Sequence, residues 1–186
     1  MALIHLPACV LGALAAASLF PGPADGGFGS QAAAFLSRWK PGALAGRLTL
    51  GWVAFPFFYF LFGMIIVPIV QPHYDQLDFL VIPPLPTILT VLFTRSAMFL
   101  IVSLLVIICW HESRGKLILA LSAGHFVAAG LAGLIQASAF PAILRWTHSI
   151  EILADSVCYA LALVWLFLPR RVREEGQQAA LRERHA

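Results

Sequence analysis

The chain has 186 residues, of which 60% are hydrophobic and only 11% charged, with a mean hydropathy of +0.87. A water-soluble domain carries about 25% charged residues, so the composition excludes a soluble enzyme or binding module and implies an all-α, polytopic membrane helix bundle forming one domain. The net charge of +3 and pI near 9.0 come from basic residues in short stretches between and after apolar runs, which is a signature of membrane orientation rather than of nucleic-acid binding.

In chain order, residues 2–20 form an apolar run whose only ionisable side chain is His5. The small residues Ala15 to Ser18 would suit a cleaved signal, but no basic residue precedes Arg38, so a retained span is expected. Residues 21–29 are turn material rich in glycine and proline. Gln31 to Lys40, with Phe35 and Trp39 at i,i+4 beside Arg38 and Lys40, predicts a short interfacial helix. The second span is expected at 48–70, dense in aromatics and interrupted by Pro56 and Pro68, which membrane helices tolerate when neighbours satisfy the freed carbonyls. Residues 71–86, with His73, Tyr74, Asp75 and Asp78, read as a solvated loop, since their spacing matches no established metal loop. Further spans are expected at 87–110, 117–139 and 142–168, followed by a charged tail over 169–186. The total is about five spans. Gly124, Ala128, Gly130 and Gly133 predict close approach of the fourth span to the fifth.

Ten of the twelve basic residues fall in three stretches: Arg38, Lys40 and Arg47; Arg114 and Lys116; and Arg170, Arg171, Arg173, Arg182 and Arg184. Placing all three inside predicts an inner-membrane protein with a cytoplasmic C-terminus and, given five spans, an N-terminus outside. A short internal similarity agrees. Pro86-Thr-Ile-Leu89 opens the third span and Pro141-Ala-Ile-Leu144 the fifth, while Ile69-Val-Gln71 matches Leu134-Ile-Gln136. Spans two–three and four–five would then be a parallel repeat of two helical hairpins.

The remaining basic residues, Arg95 and Arg145, lie inside spans. Arg145, His148, Glu151 and Asp155 fall at about 0°, 300°, 240° and 280° around a helix, within a stripe roughly 120° wide. Ionisable groups at such depth are costly and mark a functional site by default. Counting from the prolines that open each span puts Arg95 and Glu151 at a common depth of about 14 Å, so an ion pair between spans three and five is expected. His125, near the middle of span four, is the candidate partner of Asp155, and Arg145 and His148 are expected near the outer surface, against Gln136, Gln71 or a headgroup.

No established catalytic motif occurs. His148-x-x-Glu151 reverses the Glu-x-x-His order of di-iron bundles, has no second copy, and lies with two arginines that would repel a cation, so no metal is assigned. His125 and His148 differ by about 10 Å in depth, which does not suit axial haem ligation. Cys9, Cys109 and Cys158 are scattered through spans and read as packing residues. The sequence names no cofactor; a bound lipid is the candidate occupant. The leading expectation is a non-catalytic accessory or structural subunit, whose buried ionic cluster organises the bundle and whose partners are the bilayer, other membrane subunits or further copies of itself. The alternatives are a small oligomeric transporter or proton-conducting subunit, and an intramembrane enzyme that binds lipid or cofactor.

Overall fold

Proline sets where the longest helix starts. Pro41 has no N–H to leave unsatisfied in a first turn and its φ is already helical, so α2 begins there, behind an extended Lys40. The computed structural model describes residues 27–77, 81–131 and 140–168, and every regular element among them is helical. The elements are α1 (Phe28–Ser37), α2 (Pro41–Tyr74), α3 (Leu85–Ile108), α4 (Arg114–Phe126), which runs on into a π-helical turn (Val127–Leu131), and α5 (Ala142–Phe167). Helices α2, α3 and α5, of 34, 24 and 26 residues, are long and apolar enough to cross a bilayer, which marks this as a membrane protein. The expected span at 2–20, the later part of the expected span at 117–139 and the tail at 169–186 lie outside the described residues.

Helix α2, Pro41–Tyr74, extends beyond the 48–70 expected of the second span at both ends. Leaving the hydrocarbon does not end a helix. At about 1.5 Å per residue α2 is about 51 Å long against a core of about 30 Å, so both ends project beyond the apolar layer. The short interfacial helix begins and ends earlier than expected, leaving Trp39 beyond α1, where the Arg47 guanidinium stacks on its ring at 3.9 Å. Pro86 and Pro141 do stand at the openings of α3 and α5.

Pro56 lies inside α2 and leaves the Trp52 carbonyl without its usual i+4 donor. The hydroxyl of Ser96, a fully buried residue on α3, donates to that carbonyl instead, and the Trp52 indole N–H donates to Phe93 O at 2.9 Å. An interior proline thus creates the docking point between two helices.

Helix α5 is the hub. It packs extensively against α2 and α4, while α3 lies chiefly against α2 and touches α5 only sparingly. Glu151, Asp155, Tyr159, Leu163 and Phe167 form one buried i,i+4 row on α5, polar at one end and apolar at the other. At the apolar end the α2 backbone comes close: a Cβ on Gly51 would sit 3.0 Å from Leu100 Cδ1, 3.3 Å from Leu163 Cδ2 and 3.5 Å from Phe167 Cε2. Beyond it the last carbonyls of α5 are capped from two other elements. Arg47 Nε donates to Leu166 O at 3.0 Å, and the Arg114 guanidinium donates to Leu168 O. Cations at a helix C-terminus also oppose its dipole. The stretches around Arg47 and Arg114 therefore meet at one end of the bundle, as expected. At this end the Ser113 hydroxyl caps α4 by accepting Lys116 N–H at 3.4 Å, and the ammonium of Lys116 holds the exposed Glu112 carboxyl below its ordinary range.

Candidate functional site

The polar end of the α5 row faces a cavity of about 240 Å³ between α2, α3, the π-helical turn and α5. Arg95, His148, Glu151 and Asp155 all border it, together with Tyr59 of α2 and Ala129 of the π turn. Four of the six expected site residues are thus brought together. A π-helical turn is wider than an α turn and is frequent at functional sites. Here it also brings α4 against α5, since a Cβ on Gly130 would lie 3.0 Å from Ile152 Cγ2. A Cβ on Gly124 would meet nothing within 4 Å, and both Gly124 and Ala128 are exposed, so only Gly130 among the described small residues meets the expectation of close approach.

One half of the site is satisfied. Glu151, 6% exposed, accepts at Oε2 from His148 Nδ1 at 2.7 Å, and the other nitrogen of that ring meets the Tyr74 hydroxyl. A neutral imidazole protonated on Nδ1 fits both contacts, because it donates to the carboxylate and accepts the phenol O–H. The Tyr74 and His148 rings also stack, 5.9 Å apart and inclined by 19°. Gly63 of α2 completes this half: a Cβ there would lie 3.4 Å from Glu151 Oε1.

The other half is not satisfied. Asp155, 4% exposed, has an Oδ1 with no hydrogen-bond partner among the described residues. Arg95 forms no ion pair among them either; its guanidinium carbon lies 5.8 Å from the centre of the Phe99 ring.

Three expectations are corrected by this geometry. Arg95 and Glu151 share a cavity but no contact within 4.0 Å, and Glu151 pairs with His148 instead. The cause is the placement of α3, which packs on α2 and leaves the guanidinium across the cavity from α5. His125 does not reach Asp155. Its Nε2 meets Ser103 Oγ at 2.9 Å and its ring lies 5.1 Å from both Phe99 and Tyr159, so it is level with the next turn of α5. Arg145 is exposed in the first turn of α5 and does not border the cavity. Gln71, the expected partner for Arg145 or His148, binds Asp75 at 2.8 Å; Gln136 lies outside the described residues.

Sequence reasoning misses Tyr74, Tyr59 and Gly63. It places Tyr74 in a loop, whereas continuing α2 to its polar end puts that residue near His148. For Gly63 the signal is its position as a small residue within a run of bulky ones. Among the described residues no three His, Cys, Asp or Glu side chains converge as metal ligands. A larger groove of about 360 Å³ near the capped end of α5 has Arg47 as its one charged side chain, already engaged with Leu166 O.

The buried imidazole of His125 supports a direct expectation. Its Nδ1 has no partner among the described residues, so Ser103→Ala, which strips the remaining nitrogen as well, is expected to cost about 1–3 kcal/mol. Adding His125→Leu should restore most of that loss, because removing both polar groups ends the desolvation penalty. Denaturant unfolding of the purified single and double variants in micelles checks both signs.

The chain matches no protein-family model, no curated protein and no solved structure.

Proposed function

We propose that this is a non-catalytic, polytopic membrane protein whose intramembrane cavity binds a small polar ligand, as the binding subunit of a larger membrane assembly. One observation carries the reading: Arg95 and Asp155 border the same cavity, neither forms an ion pair among the described residues, and Asp155 Oδ1 has no hydrogen-bond partner among them. A cluster that served only to glue helices together would satisfy its own polar groups with hydrogen bonds, because a buried polar group left without a partner is costly. The His148–Glu151–Tyr74 set behaves as glue of that kind. Arg95 and Asp155 do not.

Binding is favoured over conduction by the rest of the α5 row. Beyond Asp155 the row continues with Tyr159, Leu163 and Phe167, all at 0% exposure, so among the described residues the charged side chains of the row end at Asp155 and none continues towards the capped end of α5. A transport role would then fall to an assembly of several chains. The orientation proposed is an inner-membrane one, with the capped end of α5 in the cytoplasm and the cavity in the outer half of the bilayer. The gathering of Arg47, Arg114 and Lys116 at that end supports it.

Unfolding of Arg95→Gln and Asp155→Asn in lipid nanodiscs, with no ligand added, tests the reading. A binding site holds these charges at the expense of stability, so each variant should match the wild type or exceed it by up to about 2.5 kcal/mol. A loss of about 1–3 kcal/mol in both would mean that the two groups stabilise the bundle, and would overturn the proposal.

A further inference from the structure

Within the reading of the cavity as a binding site, on which this inference rests, we infer that its ligand is a small zwitterion with an oxyanion at one end and a primary ammonium at the other. The cavity is faced by four charged or titratable side chains from α3 and α5: Arg95, His148, Glu151 and Asp155. Glu151 and His148 answer each other at 2.7 Å. What remains is one guanidinium on α3, with five N–H donors and no acceptor, and on α5 the Asp155 carboxyl, which borders the cavity and whose Oδ1 has no donor among the described residues. The Tyr59 hydroxyl of α2 borders the same space and, being neutral, balances neither charge. These two opposite demands stand on different walls of one space. Because α3 and α5 touch only sparingly, the walls do not close to let them meet.

A simple anion would answer Arg95 and leave Asp155 unmet, facing two carboxylates. A simple cation would do the reverse and face the guanidinium. A molecule with both ends answers both, and Arg95 can grip a carboxylate or phosphate through two parallel N–H bonds. The ammonium must carry N–H groups, since the Asp155 carboxyl that borders the cavity is an acceptor; a trimethylated ammonium has none. Size sets a further limit. A volume of about 240 Å³ is below the roughly 300–1,000 Å³ of drug-sized sites, so the two charges are separated by a few atoms. Two sources have this chemistry: a free amino-acid-like solute, and the ethanolamine headgroup of a membrane lipid.

The test uses the full chain in phosphatidylcholine nanodiscs, with thermal unfolding as readout. The free probes are glycine, phosphoethanolamine, phosphocholine, inorganic phosphate and methylammonium. In a parallel arm phosphatidylethanolamine replaces part of the phosphatidylcholine. Glycine or phosphoethanolamine should raise the wild-type midpoint if the source is a solute, and phosphatidylethanolamine should raise it if the source is a lipid. Either result supports the inference when the effect weakens at least tenfold in apparent affinity in both Arg95→Gln and Asp155→Asn, and phosphocholine has none. If a neutral variant does not fold, Arg95→Lys or Asp155→Glu takes its place, with the same weakening expected from the displaced charge. Phosphate acting as strongly as phosphoethanolamine, with Asp155→Asn indifferent, would overturn the inference in favour of an anion site. Methylammonium acting alone, with Arg95→Gln indifferent, would overturn it in favour of a cation site. Both outcomes leave the cavity a binding site. No shift from any probe also overturns the zwitterion, and the binding-site reading then falls too only if both neutral variants are less stable than the wild type.

Discussion

Replacing Gly51 with leucine is expected to destabilise the bundle by about 3 kcal/mol, at the upper end of what overpacking a core costs. The position is one of the two tightest glycine contacts among the described residues, and the one that meets two helices at once. Even a lone Cβ there would be 3.0 Å from Leu100 of α3 and 3.3 Å from Leu163 of α5, so a larger side chain must push α2 away from two helices at once. Gly51→Ala should cost less, about 1 kcal/mol, because the atoms it meets are ends of flexible side chains that can shift. Gly124→Leu is the matched control. It places the same bulk on a helical glycine with nothing within 4 Å, and it should leave stability nearly unchanged. Unfolding of the three variants by SDS titration, followed by circular dichroism, reads all of these effects together. Equal losses at Gly51 and Gly124 would overturn the packing account, since helix propensity favours leucine over glycine at both positions.

The contrast between these glycines also shows what a sequence conveys about such a protein. Apolar run length locates α3 and α5 to within a few residues, because a helix must bury or shield its backbone across the whole apolar layer. It does not locate the ends of α2, since helices continue into the interface, and Tyr74 is therefore lost to a loop. Rise per residue fixes depth, and so Arg95 and Glu151 can be assigned to one level of the bundle, with Asp155 one turn deeper, without any knowledge of packing. Depth says nothing about which helix faces which. That choice rests on Pro56, whose missing N–H draws Ser96 to the Trp52 carbonyl and fixes α3 against α2. The expected Arg95–Glu151 pair fails for this reason, while the residues expected to form a site do border a common cavity. Gly124 and Gly130 differ because six residues, at about 100° each, set them on different faces of the segment, and only the second faces Ile152.

Glu151→Ala is expected to destabilise the protein by about 1.5–3 kcal/mol, the range for a hydrogen bond to a charged group. The loss has an identifiable origin. Without the carboxylate, His148 Nδ1 has no acceptor, and the ring that links α5 to Tyr74 at the end of α2 loses its anchor. The same mutation in a His148→Ala background should then cost much less, giving a coupling energy of about 1.5–3 kcal/mol in a double-mutant cycle. Glu151→Gln should fall between, because its amide oxygen can still accept from the imidazole. Asp155→Asn, one turn further along the same buried row, is expected to have the opposite sign or none. Burial cannot produce that difference, since Asp155 is the less exposed of the two at 4% against 6%. Depth in the bilayer cannot produce it either, because Asp155 lies nearer the middle of α5 and should be the more sensitive if immersion were the cause. Only the presence of a partner distinguishes them. A cycle in which Glu151 and His148 act independently, or in which Asp155→Asn is the more damaging change, would reassign the structural role to Asp155 and remove it from the ligand site.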